Sequence, residues 1–198
     1  MARMRAKDRR RQLLKIAADL FARRGYHGAT TAELARLAGI TEPILYRHFE
    51  HKLDLFISVI DDAGEQIISG WRNALEGLDD PQSRLSALLA GNPATGRPGR
   101  GPYRVILCAM AEARHNPAIR AAVRTHLTAM HAFLAAEIVQ LQTRGAVRSD
   151  QTPQALARLL INLLIGGEMA TGGVMPRTPA TPRKIEPAAV LQALLQAP

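Results

Sequence analysis

The chain of 198 residues has few aromatic side chains and a single cysteine. Phe, Trp and Tyr together make up 4% of the residues, so the core must be built mainly from aliphatic side chains, most of which favour helix over strand. Cys108 has no internal disulfide partner, which excludes a disulfide-stapled secreted domain and fits a reducing, cytoplasmic location. The basic opening segment MARMRAKDRRRQ lacks the apolar run of a secretory signal.

Long apolar runs are missing as well. The most apolar stretch, 155–170, is interrupted by Arg158, Asn162 and Glu168, so the sequence predicts no membrane span. Strand-length alternation of apolar and polar residues is not found, whereas apolar residues recur at three- and four-residue steps throughout. We therefore predict an all-α protein of about nine helices.

Positive charge is concentrated at one end of the chain. Residues 1–52 contain 12 Lys and Arg residues against 5 Asp and Glu residues, a net charge of +7, whereas residues 53–198 carry 14 against 12. A GC-rich genome would account for the preference of Arg over Lys, but not for this concentration. A basic module on a nearly neutral body indicates an anionic partner, either nucleic acid or a membrane surface.

Two short helices joined by a glycine-containing turn are predicted near the N-terminus. Thr30 opens a capping box for the first of them, and Gly39 suits the left-handed position after its last turn. Thr41 can cap the second helix, which we expect to end near Phe49. This spacing is typical of a helix-turn-helix, whose inner face would be formed by Leu34, Leu37, Ile40 and Leu45.

The other helices are predicted from apolar spacing and from Gly and Pro breaks. We expect a first helix over about 7–24, ended by Gly25, and a fourth over about 52–75. Further helices are predicted after Pro81, over about 103–115, 118–143 and 153–171, and near the C-terminus, with Gly- and Pro-rich loops at 91–102 and 172–187.

The segment TTAELARLAGITEPILYRHFEHKLDLF, residues 30–56, resembles the signature of the TetR family of bacterial transcriptional regulators. The resemblance lies in the Thr-Thr-x-x-Leu-Ala-x-x-Ala-Gly-Ile helix and turn, the Leu-Tyr-x-His-Phe recognition helix and Lys52 at the next helix start. Glu42 and Pro43 depart from the small residues common at their positions. The resemblance implies a helix-turn-helix DNA-binding domain over 1–51 and a ligand-binding and dimerisation domain over 52–198.

The resemblance implies phosphate contacts from Thr31, Thr41, Tyr46, His48 and Lys52. Lys52 opens a helix, where backbone N–H groups and the helix dipole already favour an anion. Base reading would fall to the first turn of the recognition helix. There Pro43 and Ile44 offer apolar surface to thymine methyl groups, and Glu42 can accept a hydrogen bond from cytosine. Arg47 can reach either a guanine edge or a phosphate.

Several features near the N-terminus have structural explanations instead. We assign Leu45 and Phe49 to the core. The arm RMRAKDRRR is either a phosphate or minor-groove contact or a solvated tail. His48 and His51 are spaced for a metal ion, but no third ligand lies nearby in the sequence, so no metal site is predicted. No Gly-rich phosphate loop, Cys–His motif or nucleophile elbow occurs, so the sequence predicts neither a cofactor nor an enzyme.

The resemblance also implies a small-molecule effector and a homodimer. The candidate effector-binding residues are Trp71, Met110, His126, Met130 and Phe133, and each of them is also a candidate for the core. A pocket of this composition favours a hydrophobic effector. In the last two helices, small residues permit close helix approach and leucines supply apolar area, which makes dimer-interface candidates of Leu163, Gly166, Gly167, Ala170, Leu191 and Leu194. A buried core within one protomer is the alternative.

Together these features predict a homodimeric regulator, expected to be a repressor, that binds a palindromic double-stranded operator and is released by a hydrophobic effector. The helix over about 52–75 would connect Lys52 to the effector pocket. A ligand-insensitive DNA-binding regulator of the same fold is one alternative. The other is a basic membrane-surface or interaction module, which salt-dependent, sequence-selective DNA binding would exclude.

Overall fold

The computed structural model describes residues 6–89 and 101–171, and within these ranges it contains eight α-helices and no strand. The helices are α1 (Ala6–Gly28), α2 (Thr31–Leu37), α3 (Glu42–Leu45), α4 (Lys52–Leu75), α5 (Pro81–Leu89), α6 (Pro102–Glu112), α7 (Pro117–Thr143) and α8 (Pro153–Thr171). The predicted all-α fold is confirmed. The predicted final helix, which contains Leu191 and Leu194, lies outside the described residues, as do most of the two predicted loops.

Glycine ends two of the N-terminal helices. Gly25 has φ 70° and ψ 175°, a conformation open to glycine, so the regular part of α1 ends there as predicted. Gly39 has φ 65°. Its N–H donates to the carbonyl of Arg36 at 3.2 Å, while the N–H of Ile40 donates to the carbonyl of Ala35 at 3.0 Å. This pair of bonds is a Schellman motif, which closes α2 and turns the chain toward α3.

The third helix is shorter than predicted. After α3 the N–H groups of Arg47 and His48 donate, at 3.3 and 2.9 Å, to the carbonyl oxygens three residues earlier. The regular helix stops at Leu45 and a turn follows it, so the expected helix end near Phe49 is wrong. The N–H of Phe49 still donates to the carbonyl of Leu45 at 3.2 Å. Thr41 does occupy the N-cap position, but its side chain accepts no capping hydrogen bond from the described backbone, contrary to expectation.

The described residues form two compact units. The first comprises residues 6–66 and 101–126, and the second comprises 67–89 and 127–171. The limits of both units fall inside α4 and α7. The functional boundary between residues 51 and 52 stays a prediction. None of the described helices reaches the length and apolarity that a membrane span requires.

The core of the first unit contains most of the few aromatic side chains. The rings of Phe21 and Phe56 meet edge-on with 4.6 Å between centroids, and the Tyr26 ring lies 4.9 Å from that of Phe56. Phe21 and Phe56 are fully buried, and so are Leu34 of α2 and Leu45 of α3. Burial of these two leucines anchors both helices of the helix-turn-helix to the same unit.

Helices α4 and α7 approach each other closely within the first unit. A Cβ atom at Gly64 would lie 2.6 Å from Nδ1 of His126, so glycine is needed at this contact. His126 is 6% exposed, and burial lowers the pKa of its imidazole, which is therefore neutral at pH 7. Its Nε2 has no hydrogen-bond partner among the described residues.

The second unit is packed around Trp71. Its ring stacks on that of Phe133, with 6.2 Å between centroids and an interplanar angle of 15°, and the guanidinium of Arg72 lies 6.0 Å from the Phe133 centroid. The apolar spacing of the sequence correctly predicts that six residues of α4 and α7 in this unit are buried, namely Ile67, Trp71, Met130, Leu134, Ile138 and Leu141.

A buried ion pair joins α5 to α7 in the second unit. Nη2 and Nε of Arg84 donate to Oε2 of Glu137 at 2.7 and 3.1 Å. Nη1 of the same guanidinium donates to the carbonyl oxygens of Leu75 and Leu78 at 3.0 and 3.1 Å. The two charged side chains are only 17% and 11% exposed. Arg84 therefore binds both a buried carboxylate and two backbone carbonyl groups, that of the last residue of α4 and that of Leu78 in the turn after it.

Candidate DNA-binding site

The first turn of α2 is fixed by Thr30. Its Oγ1 accepts a hydrogen bond from the N–H of Glu33 at 3.1 Å, which confirms Thr30 as the N-cap. The Glu33 carboxylate turns toward Arg24, with 3.8 Å to Nη2, instead of returning to Thr30 as a full capping box requires. The cap sets the position of the following residue, Thr31.

Tyr46 and Thr31 place two hydroxyl groups side by side. Oη of Tyr46 donates to Oγ1 of Thr31 at 3.2 Å, although the residues are 15 positions apart in the chain. Tyr46 is 45% exposed, so the pair lies at the surface. Hydroxyl groups are common donors to phosphate oxygens, and such contacts set the register of a protein on DNA. The structure thus brings together two of the predicted phosphate contacts.

Helix α3 and the turn after it divide their side chains between core and solvent. Leu45 and Phe49 are buried, which confirms their assignment to the core. The predicted base-reading and phosphate-contacting residues of this segment are all exposed or half-buried, namely Thr41, Glu42, Pro43, Ile44, Arg47 and His48. Ile44 is 39% exposed, which leaves its side chain free to meet a thymine methyl group.

The predicted inner face of the helix-turn-helix consists of Leu34, Leu37, Ile40 and Leu45. Of these four residues only Leu37 is exposed, at 41%. The prediction that it is core is wrong. Helix α2 has only seven residues, and its buried face is formed by Leu34 and Ala35. Leu37, its last residue, is therefore turned toward solvent.

Lys52 opens α4, as predicted. The residue before it, His51, caps the helix, because its Nδ1 accepts a hydrogen bond from the N–H of Asp54 at 3.0 Å. The Asp54 carboxylate in turn accepts from the N–H of Glu50 at 2.9 Å. These two bonds resemble a capping box, except that the Asp54 carboxylate accepts from the residue before the cap, and they fix where the first turn of α4 begins. His51 therefore has a structural role here, which its spacing of three residues from His48 did not indicate.

The side chain of Lys52 is half-buried and lies against an aromatic ring. Its Nζ is 4.6 Å from the centroid of the Tyr26 ring, a cation–π contact. Burial lowers the pKa of the Lys52 ammonium, while the negative charge of Glu112 raises it. Sequence reasoning missed Tyr26 and Glu112 as neighbours of Lys52, because contacts between distant parts of a chain leave no local pattern.

The predicted effector-binding residues are divided between the two units. Met110 and His126 belong to the first, and Trp71, Met130 and Phe133 belong to the second. Trp71 and Met130 are fully buried, whereas Met110 and Phe133 are half-buried. Their role in effector binding stays a prediction.

Two exposed leucines lie one turn apart on α8 in the second unit. Leu159 is 38% exposed and Leu163 is 42% exposed, whereas the intervening Leu160 is buried. On α7 of the same unit, Val139 is 47% exposed. Of the other predicted interface residues, those within α8 are Gly166, Gly167 and Ala170. Participation of all these residues in an interface stays a prediction.

The geometry defines a class of protein: a helix-turn-helix DNA-binding protein with a helical body. Two family models match the chain and sharpen this assignment. The model of bacterial regulatory proteins of the TetR family matches residues 13–59, and the C-terminal model of BetI-type transcriptional repressors matches residues 81–195, more than half of the chain. The chain belongs to the TetR family and is a DNA-binding transcriptional regulator.

Its relatives are also regulators of transcription. The activator FasR of Mycolicibacterium smegmatis is 42% identical over 80 residues, which cover 40% of this chain and 36% of FasR. The regulator UidR of Escherichia coli K12 is 23% identical over 161 residues, which cover 81% of this chain and 80% of UidR. A transcriptional regulator from Saccharomonospora viridis, solved in complex with choline, shares the fold with a TM-score of 0.75 and 23% identity, over 94% of this chain and 93% of that one.

We expect Ile44→Ala to weaken binding to a preferred operator about fivefold and binding to random DNA less than twofold. The apolar contact of Ile44 with a thymine methyl group exists only on the preferred sequence. Fluorescence anisotropy with a duplex selected by the protein and with a random duplex measures both affinities. Leu37→Ala, which truncates an equally exposed side chain outside α3, is the control and should change neither. Equal losses on both duplexes would remove Ile44 from the base-reading residues.

Proposed function

We propose that this regulator is a cytoplasmic, homodimeric repressor that binds a palindromic operator and leaves it when a small, largely hydrophobic effector binds. Residues 1–51 would form the DNA-binding domain and residues 52–198 the ligand-binding and dimerisation domain. The observation that carries the proposal is the exposed Tyr46–Thr31 pair beside the solvent-facing side chains of α3, in a quarter of the chain with a net charge of +7.

Each protomer would present one such surface to DNA. The proposed phosphate contacts are Thr31, Thr41, Tyr46, His48 and Lys52, and the proposed base-reading residues are Glu42, Pro43, Ile44 and Arg47. Two recognition helices related by a two-fold axis enter successive major grooves, about 34–36 Å apart. This geometry requires an operator with two inverted half-sites.

Repression rather than activation is favoured because the match to a repressor model covers more of the chain than the match to a known activator. The C-terminal model of BetI-type repressors covers residues 81–195, whereas the match to the activator FasR covers 40% of the chain. A reporter gene behind the operator distinguishes the two modes. Deletion of the regulator should raise expression of a repressed gene and lower expression of an activated one.

The exposed leucines of α8 support the homodimer. Leu159 and Leu163 form an apolar strip on a helix whose opposite side is already buried by Leu160 and Ile161. A second copy of the chain would cover the strip by two-fold symmetry, as the dimers of bundle-forming helices do. Gly166, Gly167 and Ala170, on the same helix, would permit close approach, and Leu191 and Leu194 would extend the interface.

His126 supports an effector that is largely apolar with one polar group. Its neutral imidazole is buried, and its Nε2 is without a hydrogen-bond partner in the described part of the chain, so a ligand atom placed there would gain an otherwise missing bond. Of the other proposed effector contacts, Met110, Met130 and Phe133 are apolar, and the buried Nε1–H of Trp71 is a second polar group without a partner among the described residues. Strong release requires the effector to prefer the DNA-free state by about 5 kcal/mol.

The test begins with selection of DNA sites by the purified protein from a random duplex library. A palindromic site is expected, and binding without sequence preference would favour the alternative of a basic surface or interaction module. Thermal shift against a panel of hydrophobic compounds and choline then identifies ligands, and each hit is assayed for release of the operator. Release by choline alone would reassign the effector class, because the S. viridis regulator binds choline. Operator binding without any stabilising ligand would favour a ligand-insensitive regulator.

A further inference from the structure

Arg10 contacts two other parts of the first unit. It lies in the second turn of α1, and its side chain is exposed. Its Nη2 donates to Oγ of Ser58 on α4 at 3.0 Å, although the two residues are 48 positions apart in the chain. The same guanidinium lies over the ring of Phe49, with 5.0 Å between Cζ and the ring centroid. Arg10, Phe49 and Ser58 form a contact that we call the Arg10 bridge.

Phe49 ends the recognition segment, residues 42–49, which comprises α3 and the turn after it. Regular helix covers only four residues of this segment. A helix of one turn is not stable by itself, so the shape of the segment depends on how its buried side chains pack. Two side chains of the segment are buried, those of Leu45 and Phe49. A contact that holds the Phe49 ring therefore also orients the exposed side chains of Tyr46 and Arg47 before it.

Ser58 attaches the Arg10 bridge to a part of α4 that is anchored in the core. The next residue, Val59, is buried, and so is Phe56, two residues earlier. Packing of these neighbours restricts the movement of α4 at Ser58. Arg10 thus connects the ring of Phe49 to a helix that is anchored on both sides of the contact.

The Arg10 bridge depends on the shape of the arginine side chain. A guanidinium is planar, so it can lie over a ring while one of its N–H groups donates to a hydroxyl group beside it. A lysine would keep the charge but has no flat group to cover the ring. No carboxylate among the described residues lies within ion-pair distance of Arg10. The partners of the guanidinium are therefore a ring and a hydroxyl group, neither of which carries a charge.

We propose that Arg10 is a positioning residue for base reading, because it links the Phe49 ring to Ser58 and so fixes the orientation of the recognition segment. The inference rests on the proposed base-reading role of α3. It extends that role to one residue of α1 and one of α4, neither of which belongs to the helix-turn-helix. It gives Arg10 a function that differs from both alternatives considered for the basic arm RMRAKDRRR, a DNA contact and a solvated tail.

The test uses the full chain and compares its affinity for the selected operator with that for a random duplex. Arg10→Lys keeps the charge but loses the flat guanidinium, and it should weaken operator binding about two- to fivefold, the effect of one exposed cation–π contact. Binding to the random duplex should change less than twofold. Ser58→Ala leaves every charge in place and should act in the same direction. Arg10→Ala should weaken operator binding too, with a salt slope close to that of the wild type, because no phosphate contact is lost.

A double variant and two matched controls decide whether the losses act through the Arg10 bridge. Arg10→Lys combined with Ser58→Ala should weaken operator binding by less than the product of the two single losses, because both changes disrupt the same contact. Arg11→Lys and Ser69→Ala make the same two substitutions at exposed positions outside the bridge, and they should change neither affinity. Melting temperatures show whether each variant is folded.

The outcomes separate the inference from the function on which it rests. Wild-type operator affinity of folded Arg10→Lys and Ser58→Ala would overturn the inference and leave base reading by α3 standing. Equal losses of Arg10→Ala on both duplexes, a salt slope lower by about one and full rescue by Arg10→Lys would make Arg10 a phosphate contact instead. Losses that multiply fully in the double variant would show that Arg10 and Ser58 act separately, which also contradicts the bridge. A wild-type protein without sequence preference would overturn base reading by α3, and the inference with it.

Discussion

Arg84→Ala is expected to destabilise the protein by about 3–5 kcal/mol. The guanidinium makes four hydrogen bonds in the second unit, two to the Glu137 carboxylate and two to the backbone carbonyl groups of Leu75 and Leu78. Truncation leaves a buried carboxylate without its counter-charge and removes the side-chain hydrogen bonds to the Leu75 and Leu78 carbonyl groups. The loss exceeds that of an ordinary surface ion pair, because water does not replace the missing partner.

Denaturation by urea and heat measures this effect. A loss of that size should lower the melting temperature by roughly 6–20 °C in a chain of this length. Replacing both partners at once, with Arg84→Met and Glu137→Leu, should restore much of the stability, because no buried charge is then left unpaired.

The exposed pair of Arg148 and Asp150 provides a control for the ion pair. Arg148 bonds the Asp150 carboxylate through Nε and Nη2, but both side chains are more than a third exposed, so Arg148→Ala should barely change the melting temperature. If Arg84→Ala and Arg148→Ala lowered the melting temperature equally, the buried pair would not stabilise the protein more than the exposed pair does.

Leu163→Asp is expected to separate the proposed dimer into monomers. The side chain of Leu163 is 42% exposed on α8, and in a dimer it would be covered by the second copy of the chain. A carboxylate at this position would have to be desolvated without a partner, which costs more than one side chain gains at an interface. Because the palindromic operator is bound by two linked reading surfaces, affinity for it should fall about 100-fold or more.

Sedimentation velocity measures the oligomeric state, and anisotropy with the selected operator measures the affinity. The control is Gln154→Asp, which introduces the same charge at an exposed position in the first turn of α8, away from the face of Leu159 and Leu163, where the helix dipole tolerates an acid. It should leave the protein dimeric. A wild-type monomer, or a Leu163→Asp variant that stays dimeric, would contradict the proposed interface.

Much of the fold was predictable because it depends on patterns within a few turns of helix. The spacing of apolar residues indicated the long helices and their buried faces, from Phe56 to Trp71 in α4 and from Ile119 to Leu141 in α7. Gly25 and Gly39 indicated where the regular part of α1 and the whole of α2 end, because a left-handed backbone favours glycine. The end of α3 and the exposure of Leu37 were predicted wrongly, because short helices take their limits from the packing around them.

The candidate DNA-binding site likewise has features that local sequence patterns predicted and features that they did not. Exposure of the α3 side chains and burial of Leu45 and Phe49 followed from the spacing of apolar residues in this segment. The hydroxyl pair of Tyr46 and Thr31 did not, because its members belong to different helices. The capping role of His51 was not predicted either, because histidine is not one of the residues that usually cap the N-terminus of a helix.

By itself, the sequence determined that this protein is all-α, where its basic helix-turn-helix lies, and which side chains of that motif are available to DNA. These properties depend on residue types and on spacing along single helices. Only the tertiary structure decided that Lys52 lies against Tyr26, and that Arg84 pairs with Glu137. Such contacts join residues far apart in the chain, and their existence depends on how helices cross, which the periodicity of any one helix does not encode.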